Sequence, residues 1–281
     1  MSTWLPASPC TPRACAAHDG PARHPLRAAA LLLAGCALTL TGALGAPLVL
    51  LLGREARERL TRRWAYGVVR AFGVRVRVVG RPAASCGGPG SLVVANHVSW
   101  LDIPLVAAVC PGRMLAKSDI RHWPLLGPLA ALGGTLFVER DRLRALPATV
   151  RAVASALRGG SRVVVFPEGS TWCGRGPGGR FRPAAFQAAI DAGAGVQPVR
   201  IRYLGATAER RAPAGAAAFV GDDPLAASLW RVVRAAGLTA EIHILAPIPA
   251  GSLAGRRALA RLAQSTVASE SANRSAESVH H

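Results

Sequence analysis

The chain has 281 residues, of which 51% are hydrophobic and 17% charged, so it is long enough for a sizeable core and is not disordered throughout. Its net charge is +19, and Lys117 is the only lysine among the basic residues. Such a surface favours anionic partners, and charge alone does not choose among phospholipid head groups, nucleic acid and phosphate-bearing substrates.

The N-terminal part of the chain predicts a tail followed by a membrane segment. Residues 1–27 are rich in proline, alanine and arginine without periodicity, which predicts a disordered tail. Residues 28–53 carry no charge and are long enough to cross the hydrocarbon core. We therefore predict a transmembrane or re-entrant segment and favour a single crossing, although Gly45 and Pro47 could bend it back. The run starts too late and is too long for a cleaved signal peptide.

Arginines are more numerous after this segment than before it, so the positive-inside rule predicts a protein of the cell membrane with its remaining chain on the cytoplasmic side. Residues 54–73 predict a basic amphipathic interfacial helix, because Leu60, Trp64, Val68 and Phe72 recur four apart with arginines between them. An ordinary helix packed on the domain is a compatible alternative.

Residues 74–265 predict an α/β domain, in which a central, mostly parallel β-sheet is flanked by helices, because short apolar runs alternate with helical patterns. The strand candidates are residues 74–80, 91–96, 134–140, 162–169, 195–203 and 240–248. Residues 266–281 are polar and aperiodic, which predicts a disordered C-terminal tail.

The six cysteines are scattered and form no C-x-x-C pair, so we expect isolated thiols and no disulfide framework. Cys10, Cys15, His18 and His24 cluster near the N-terminus and are a candidate metal site. That segment lacks an apolar pattern to pack around an ion, so the prediction is that the protein holds no metal.

The stretch "VVANHVSWLD" places Asp102 five residues after His97, at the end of an apolar strand. On one helix, five steps of about 100° would put the two side chains on different faces. The pair makes chemical sense if His97 lies in the turn before a helix and Asp102 in its first turn. Asp102 would then hold one ring nitrogen and leave the other free as a base. The alternative is that Asn96 or Ser99 caps the helix and His97 is merely polar.

A second candidate, Arg140, follows the apolar strand in "GGTLFVER". If the strands are parallel, its guanidinium could lie at the same sheet edge as His97, where it would suit a phosphate or carboxylate. The alternative is a surface salt bridge with Glu139 or Asp141.

In "VVVFPEGSTW", Glu168 follows a strand and Gly169 allows a tight turn with exposed backbone N–H groups. Such a carboxylate could bind a substrate hydroxyl, and the alternative is a solvated glutamate. Arg182, in "RFRPAAF", is a weaker candidate for an anion contact.

The four blocks N-H-x-x-x-x-D, G-T-L-F-V-E-R, F-P-E-G-S and V-Q-P-V occur in this order within residues 96–200. This series, with its HX4D motif, resembles the 1-acylglycerol-3-phosphate acyltransferase family of glycerolipid acyltransferases. The resemblance implies the glycerolipid acyltransferase fold. It also implies that the protein is a membrane-bound O-acyltransferase of phospholipid biosynthesis. His97, held by Asp102, would take a proton from the hydroxyl of a lysophospholipid acceptor. The hydroxyl oxygen would attack the thioester of acyl-CoA or acyl-ACP, with no acyl-enzyme and no cofactor.

The resemblance also implies that Arg140 binds the acceptor phosphate, with Lys117 as a second phosphate candidate. Glu168 and Gly169 would shape the acceptor site. With 1-acyl-sn-glycerol 3-phosphate as the acceptor, the product would be phosphatidic acid.

Two departures from the family pattern leave the acceptor open. Many members have F-P-E-G-T-R, whereas Thr171 stands here in the place of that arginine. Downstream, F-K-x-G is replaced by Phe181-Arg182-Pro183-Ala184. Another lysolipid, such as lyso-ornithine lipid, is therefore the alternative acceptor.

Two other classes of protein are disfavoured. A nucleic-acid-binding protein would leave the uncharged segment unexplained, and no nucleic-acid-binding motif is recognisable, so we expect no nucleic-acid partner. A non-catalytic membrane protein with this fold would not need the intact pair of His97 and Asp102.

Overall fold

The computed structural model describes residues 8–18, 20–80, 86–124, 126–139, 142–176, 178–206, 214–253 and 255–269. The α-helices are α1 Pro12–Cys15, α2 Pro25–Leu50, α3 Arg54–Ala71, α4 Asp102–Val109, α5 Leu126–Leu132, α6 Leu146–Arg158, α7 Ala184–Ala192, α8 Leu225–Arg234 and α9 Arg256–Ser269. The strands are β1 Arg75–Gly80, β2 Leu92–Ala95, β3 Arg113–Lys117, β4 Leu136–Val138, β5 Val163–Val165, β6 Val196–Leu204 and β7 Thr239–Ile244. Short 3₁₀ helices cover Ser118–His122, Leu143–Ala145 and Gly215–Ala217.

In the described part of the chain, seven strands form one sheet in the order β1-β7-β6-β2-β5-β3-β4. Strands β2 to β6 are all parallel to one another, whereas β7 is antiparallel to β6 and carries β1 parallel beside it. The prediction of a mostly parallel sheet flanked by helices is confirmed. Strand β3 was not predicted, because "RMLAK" has neither a β-branched residue nor a clear alternation.

Helices cover both faces of this sheet. In β2, Val93 and Ala95 belong to the core beneath α3, α4 and α8, while Leu92 and Val94 belong to the core beneath α6, α7 and α9. All four of these side chains are fully buried, as expected of a central parallel strand. Helix α7 ends at Gly193, whose φ of 60° is the left-handed conformation of a helix stop.

Helices α2 and α3 form an antiparallel hairpin. Gly35 lies against the ring of Phe72 and Gly42 against the indole of Trp64, and the Trp64 Nε1–H donates to the Leu38 carbonyl at 2.8 Å. Within the described residues, α2 is the one helix that is long and apolar enough to cross a membrane, judged by length and composition. It begins at Pro25, three residues before the predicted segment, and ends at Leu50. The last three residues of the predicted segment, 51–53, form the turn into α3.

Part of the predicted N-terminal tail is ordered, so that prediction is wrong for residues 8–18 and 20–27. The Arg23 guanidinium donates to the carbonyls of Val233, Ala235 and Gly73 at 2.9, 2.6 and 2.7 Å. These partners lie far away in sequence, so no local sequence pattern predicts that this segment is ordered. Residues 1–7 lie outside the described residues.

The predicted C-terminal boundary of the domain is also corrected. Helix α9 continues to Ser269, and Val267 is buried in the core beneath α7. Four residues assigned to a disordered tail are therefore helical, because one buried valine is too weak a pattern to detect in a polar stretch. Residues 270–281 lie outside the described residues.

Cys86 and Cys110 form a disulfide, with their Cα atoms 5.6 Å apart. The prediction of isolated thiols is wrong for this pair. Cys86 precedes β2 and Cys110 follows α4, and both lie in the same buried core, so the fold brings together two cysteines that sequence spacing does not connect.

Candidate active site

The candidate site lies where β2, β5, β3 and β4 end, because the carboxyl ends of parallel strands meet at one edge of a sheet. His97 follows β2, Glu168 follows β5, and Lys117 is the last residue of β3, with an exposed side chain. The parallel arrangement required for Arg140 is met by β4, which ends at Val138. Arg140 itself lies outside the described residues.

His97 and Asp102 are in direct contact. His97 lies in the turn after β2, and Asp102 is the first residue of α4. The His97 Nδ1 atom is 2.8 Å from Asp102 Oδ2. The structure thus has the arrangement that the five-residue spacing required, with the histidine before the helix and the aspartate in its first turn.

Asp102 is fully buried and accepts four hydrogen bonds. Besides His97, the backbone N–H groups of Val98 and Ser99 donate to Oδ2 at 2.6 and 2.9 Å. The Tyr203 hydroxyl donates to Oδ1 at 2.7 Å. Together with the helix N-terminus, these donors stabilise the charged carboxylate in a site without water contact.

Tyr203 was missed by the sequence analysis, because it lies 101 residues from Asp102 and tyrosine is common in strands. Burial, the charge of Asp102 and the hydrogen bond to it raise the pKa of Tyr203 well above its ordinary value. Tyr203 is therefore a neutral hydrogen-bond donor at all working pH values.

The His97 ring is held on one face by Phe166, with ring centroids 4.2 Å apart and planes 19° from parallel. Its side chain is 21% exposed. In the tautomer whose Nδ1–H donates to the Asp102 carboxylate, the neutral ring carries its lone pair on Nε2. Among the residues that the structure describes, none hydrogen-bonds to Nε2. His97 therefore offers a positioned base at the strand edge.

Glu168 holds the turn that carries His97. It is only 4% exposed, and its Oε2 accepts the His97 backbone N–H at 2.7 Å while its Oε1 accepts the Gly179 N–H at 3.0 Å. The solvated-glutamate alternative is wrong. Since both of its oxygens accept backbone N–H groups, Glu168 positions the turn that carries His97. Gly169, which follows it, has the positive φ of 76° that the predicted tight turn requires.

Burial raises the pKa of Glu168 to about 7, against the opposing effect of the two backbone N–H groups, and the nearby charge of Asp102 adds to the rise. A carboxyl group with this pKa changes its charge near neutral pH while it accepts the backbone N–H of His97.

The alternative role of Asn96 as a helix cap is also wrong. Its amide donates to the Ile201 carbonyl at 2.9 Å and accepts the Ile201 N–H at 2.8 Å, which fastens the end of β2 to β6. The loop after Glu168 adds another link, because the Trp172 N–H donates to the His97 carbonyl at 2.7 Å. The turn that carries His97 is therefore fixed from both sides.

Comparison with known proteins identifies the family. Residues 75–202 match the family model described as Acyltransferase. A 1-acyl-sn-glycerol-3-phosphate acyltransferase of Neisseria meningitidis serogroup B is 39% identical over 73% of this chain and 78% of its own length. A lyso-ornithine lipid O-acyltransferase of Pseudomonas aeruginosa is also 39% identical, over 75% of this chain and 78% of its own length.

This chain belongs to the glycerolipid acyltransferase family. The O-acyltransferase has the fold of a solved relative, the 1-acyl-sn-glycerophosphate acyltransferase of Thermotoga maritima. That structure is 21% identical, with a TM-score of 0.64 over 90% of this chain and 96% of the other.

The other predicted binding residues of the acyltransferase lie apart from His97. Since neighbouring strands are about 4.8 Å apart, β3 with Lys117 lies roughly 10 Å from β2, and β4 roughly 14 Å. The backbone N–H of Arg182 donates to the Pro167 carbonyl at 2.8 Å, and its side chain is exposed. In the part of the chain that the structure describes, the side chains of Lys117 and Arg182 do not contact His97.

Proposed function

We propose that this acyltransferase transfers a fatty acyl group from acyl-CoA or acyl-ACP to the free hydroxyl of 1-acyl-sn-glycerol 3-phosphate, giving phosphatidic acid. The observation that carries the proposal is the 2.8 Å contact between His97 Nδ1 and the buried Asp102, which leaves Nε2 available at the strand edge. No cofactor enters the proposed reaction, since the thioester is itself the activated acyl donor.

In the proposed mechanism, Nε2 of His97 takes the proton of the acceptor hydroxyl as its oxygen attacks the thioester carbonyl carbon. The new C–O bond forms and the C–S bond breaks. The thiolate leaving group then receives the proton from His97. Asp102 keeps the imidazole in the correct tautomer and stabilises its protonated form, and Glu168 holds the backbone on which the ring is mounted.

The phosphate of the acceptor would lie towards β3 and β4. Lys117 ends one of these strands, and Arg140 comes two residues after the other ends at Val138. A long basic side chain reaches about 6 Å, so cations on these strands would meet a head group whose hydroxyl lies at His97. The neisserial relative is named for this acceptor.

A second acceptor, lyso-ornithine lipid, is favoured by a specific observation. Thr171 takes the place of an arginine that would contribute another positive charge beside Glu168. The relative from Pseudomonas aeruginosa, which is named for that acceptor, is as similar to this chain as the neisserial one.

For the membrane, we propose that the hairpin of α2 and α3 lies along one leaflet, partly embedded, and does not cross it. The tip of the hairpin stays with the domain, because the Arg54 guanidinium donates to the Gly160 carbonyl at 2.9 Å. Because α3 runs back along α2, a complete crossing by α2 would draw the arginines of α3 into the hydrocarbon, at a cost of several kcal/mol each. Instead, the exposed leucines of α2 would face acyl chains while the arginines of α3 meet head groups.

The excess of arginine after α2 supports a catalytic domain on the cytoplasmic side, because the anionic lipids that attract arginine lie in the cytoplasmic leaflet. The disulfide between Cys86 and Cys110 points the other way, because disulfides persist mainly in oxidising compartments.

The test is an acyl-transfer assay on membranes with labelled acyl-CoA or acyl-ACP and both lysolipids. We expect His97→Ala to lower turnover by at least about 100-fold, the usual contribution of a general base. His122→Ala, at an exposed histidine, is the matched control and should keep wild-type turnover. Turnover by the His97 variant equal to that of the control would refute the mechanism.

The same assay identifies the acceptor. Preference for 1-acyl-sn-glycerol 3-phosphate over lyso-ornithine lipid supports the main proposal, and Arg140→Gln should then raise the KM for this acceptor with little change in kcat. Preference for lyso-ornithine lipid would establish the second acceptor instead and leave the role of His97 intact.

A further inference from the structure

Three free thiols from distant parts of the chain meet beside the active site. The Sγ atoms of Cys10, Cys15 and Cys173 all lie within 4.8 Å of one another. In the N-terminal segment, Cys10 precedes α1 and Cys15 is the last residue of that helix. Cys173 lies in the loop after Glu168. Cys10 is buried, and the other two are half-buried.

The contact between these two segments is built into the fold. Cys10 packs with Ala218 and Val220 in a small apolar cluster of its own. Cys15, Trp172 and Cys173 pack against this cluster. At Gly215, a side chain would approach the Cys15 carbonyl oxygen to 2.5 Å, so the N-terminal segment crosses residues 214–220 at a distance that only glycine permits. The thiols therefore meet because backbone from both sides is held in place, and not because a surface tail happens to lie nearby.

We propose that Cys10, Cys15 and Cys173 form a structural site for a thiophilic divalent cation, Zn²⁺. With Zn–S bonds of about 2.3 Å, tetrahedral coordination places neighbouring sulfurs about 3.8 Å apart. The thiols need to close by at most about 1 Å, which side-chain rotation can supply. Within the described residues no fourth histidine, cysteine or carboxylate joins the group, so the described part of the chain supplies three thiolate ligands.

The structure thus replaces the ligand set suggested by the sequence. His18 and His24 stand near Cys10 and Cys15 in sequence, but His18 Nε2 is paired with the Pro21 carbonyl at 3.0 Å, and His24 Nδ1 accepts the Leu26 N–H at the start of α2. The third sulfur comes from Cys173, which sequence proximity could not identify.

The position of this site indicates what the metal does. Cys173 directly follows Trp172, whose N–H donates to the His97 carbonyl. Cys15 lies ten residues before α2 begins at Pro25. A cation there links the segment that leads into the membrane hairpin to the loop that supports the catalytic turn. It takes no part in the proposed acyl transfer.

The first experiment measures metal in the full-length protein, purified in detergent with reductant and with an affinity tag that binds no metal. We expect about one Zn²⁺ per chain, and in the metal-depleted protein a Co²⁺ titration should give thiolate-to-cobalt charge-transfer absorption. Cys15→Ser and Cys173→Ser should each weaken Co²⁺ binding by at least about tenfold. Cys36→Ser, at a free cysteine outside the cluster, should bind as the wild type does.

A second measurement uses only the wild-type chain and so does not depend on whether the variants fold. Under a thiol-alkylating reagent, the three cluster cysteines should react much faster after treatment with a chelator, while the rate at Cys36 stays the same. Two results would overturn the proposal. One is a wild-type protein that gives no cobalt–thiolate absorption and no chelator effect. The other is a disulfide between two of the three cysteines in protein isolated without reductant.

Discussion

Asp102 orients His97, the base of the proposed mechanism, and one of its four hydrogen bonds comes from a side chain that can be removed cleanly. Tyr203→Phe deletes the 2.7 Å bond to Oδ1 and leaves a fully desolvated carboxylate with one donor fewer. Because a hydrogen bond to a charged group contributes about 1.5–3 kcal/mol, we expect a lower Tm and roughly a tenfold lower kcat, with KM unchanged. Acyl-transfer kinetics and thermal unfolding measure both effects.

The control is Tyr66→Phe, at the other of the two tyrosines in the chain, which is 43% exposed on α3. It should leave Tm and kcat within error of the wild type. If Tyr203→Phe is as active as this control, Tyr203 is a packing residue and does not position Asp102.

Glu168 predicts an unusual dependence of stability on pH. Its folded pKa of about 7 exceeds its ordinary value of 4.5, so between these values the folded protein keeps a proton that the unfolded chain loses. Stability contributed by this group is therefore present at low pH and is lost as pH rises towards 7. Relative to Glu168→Gln, which cannot ionise, the Tm of the wild type should fall between about pH 5 and pH 8.

Glu139→Gln, at a half-exposed carboxylate, serves as the control and should show no such trend relative to the wild type. A wild-type Tm that instead rises relative to Glu168→Gln with increasing pH would mean that the two backbone N–H bonds keep Glu168 ionised despite its burial.

At the level of residues, the sequence predicts contacts that are local and misses those that the fold creates. The spacing of His97 and Asp102 left a capping alternative open, but the geometry that their pairing requires, a turn followed by one helix start, is the one that the structure has. Glu168 was found, but as a possible substrate ligand, since nothing local shows that the N–H groups of His97 and Gly179 reach it. No local sequence pattern singled out Tyr203 as a partner of Asp102.

At the level of elements, the hairpin of α2 and α3 depends on small residues where the helices touch. A Cβ atom at Gly42 would overlap the indole of Trp64, which would have to move and give up its hydrogen bond to Leu38. We expect Gly42→Ala to cost about 1–3 kcal/mol and to lower the Tm measured in nanodiscs.

Gly45 offers a matched control three residues along the same helix. A Cβ atom there meets nothing within 4 Å, and alanine favours the helix by up to about 1 kcal/mol, so Gly45→Ala should keep or raise the Tm. Equal Tm changes in both variants would show that the hairpin is not packed as described.

The alternation of apolar runs and helical patterns was enough to predict the sheet, because buried parallel strands such as β2 and β5 are continuous in valine, leucine and alanine. The same approach missed β3, the ordered N-terminal segment and the end of α9. In each case the element is held by distant partners and not by its own pattern; Arg23, for instance, is fixed by carbonyls more than 200 residues away.

At the level of the whole molecule, the net charge of +19 matters through its placement. Arg59, Arg63 and Arg70 are exposed on α3, and at 100° per residue they lie within about 40° of one another around the helix. Each arginine near an anionic surface contributes about 1 kcal/mol. Replacing all three by glutamine should therefore weaken binding to anionic vesicles by on the order of 100-fold.

The control carries the same change in net charge on the opposite face of the sheet. Arg256, Arg257 and Arg261 are exposed on α9, which packs with α7 beneath the other core. Flotation with vesicles after dilution from detergent measures binding as anionic lipid and salt are varied. We expect binding of the wild type and the α9 variant to rise with anionic lipid and to fall with salt, and the α3 variant to respond weakly to both. Equal losses in the two variants would mean that total charge, and not the face carrying α3, brings this acyltransferase to the membrane.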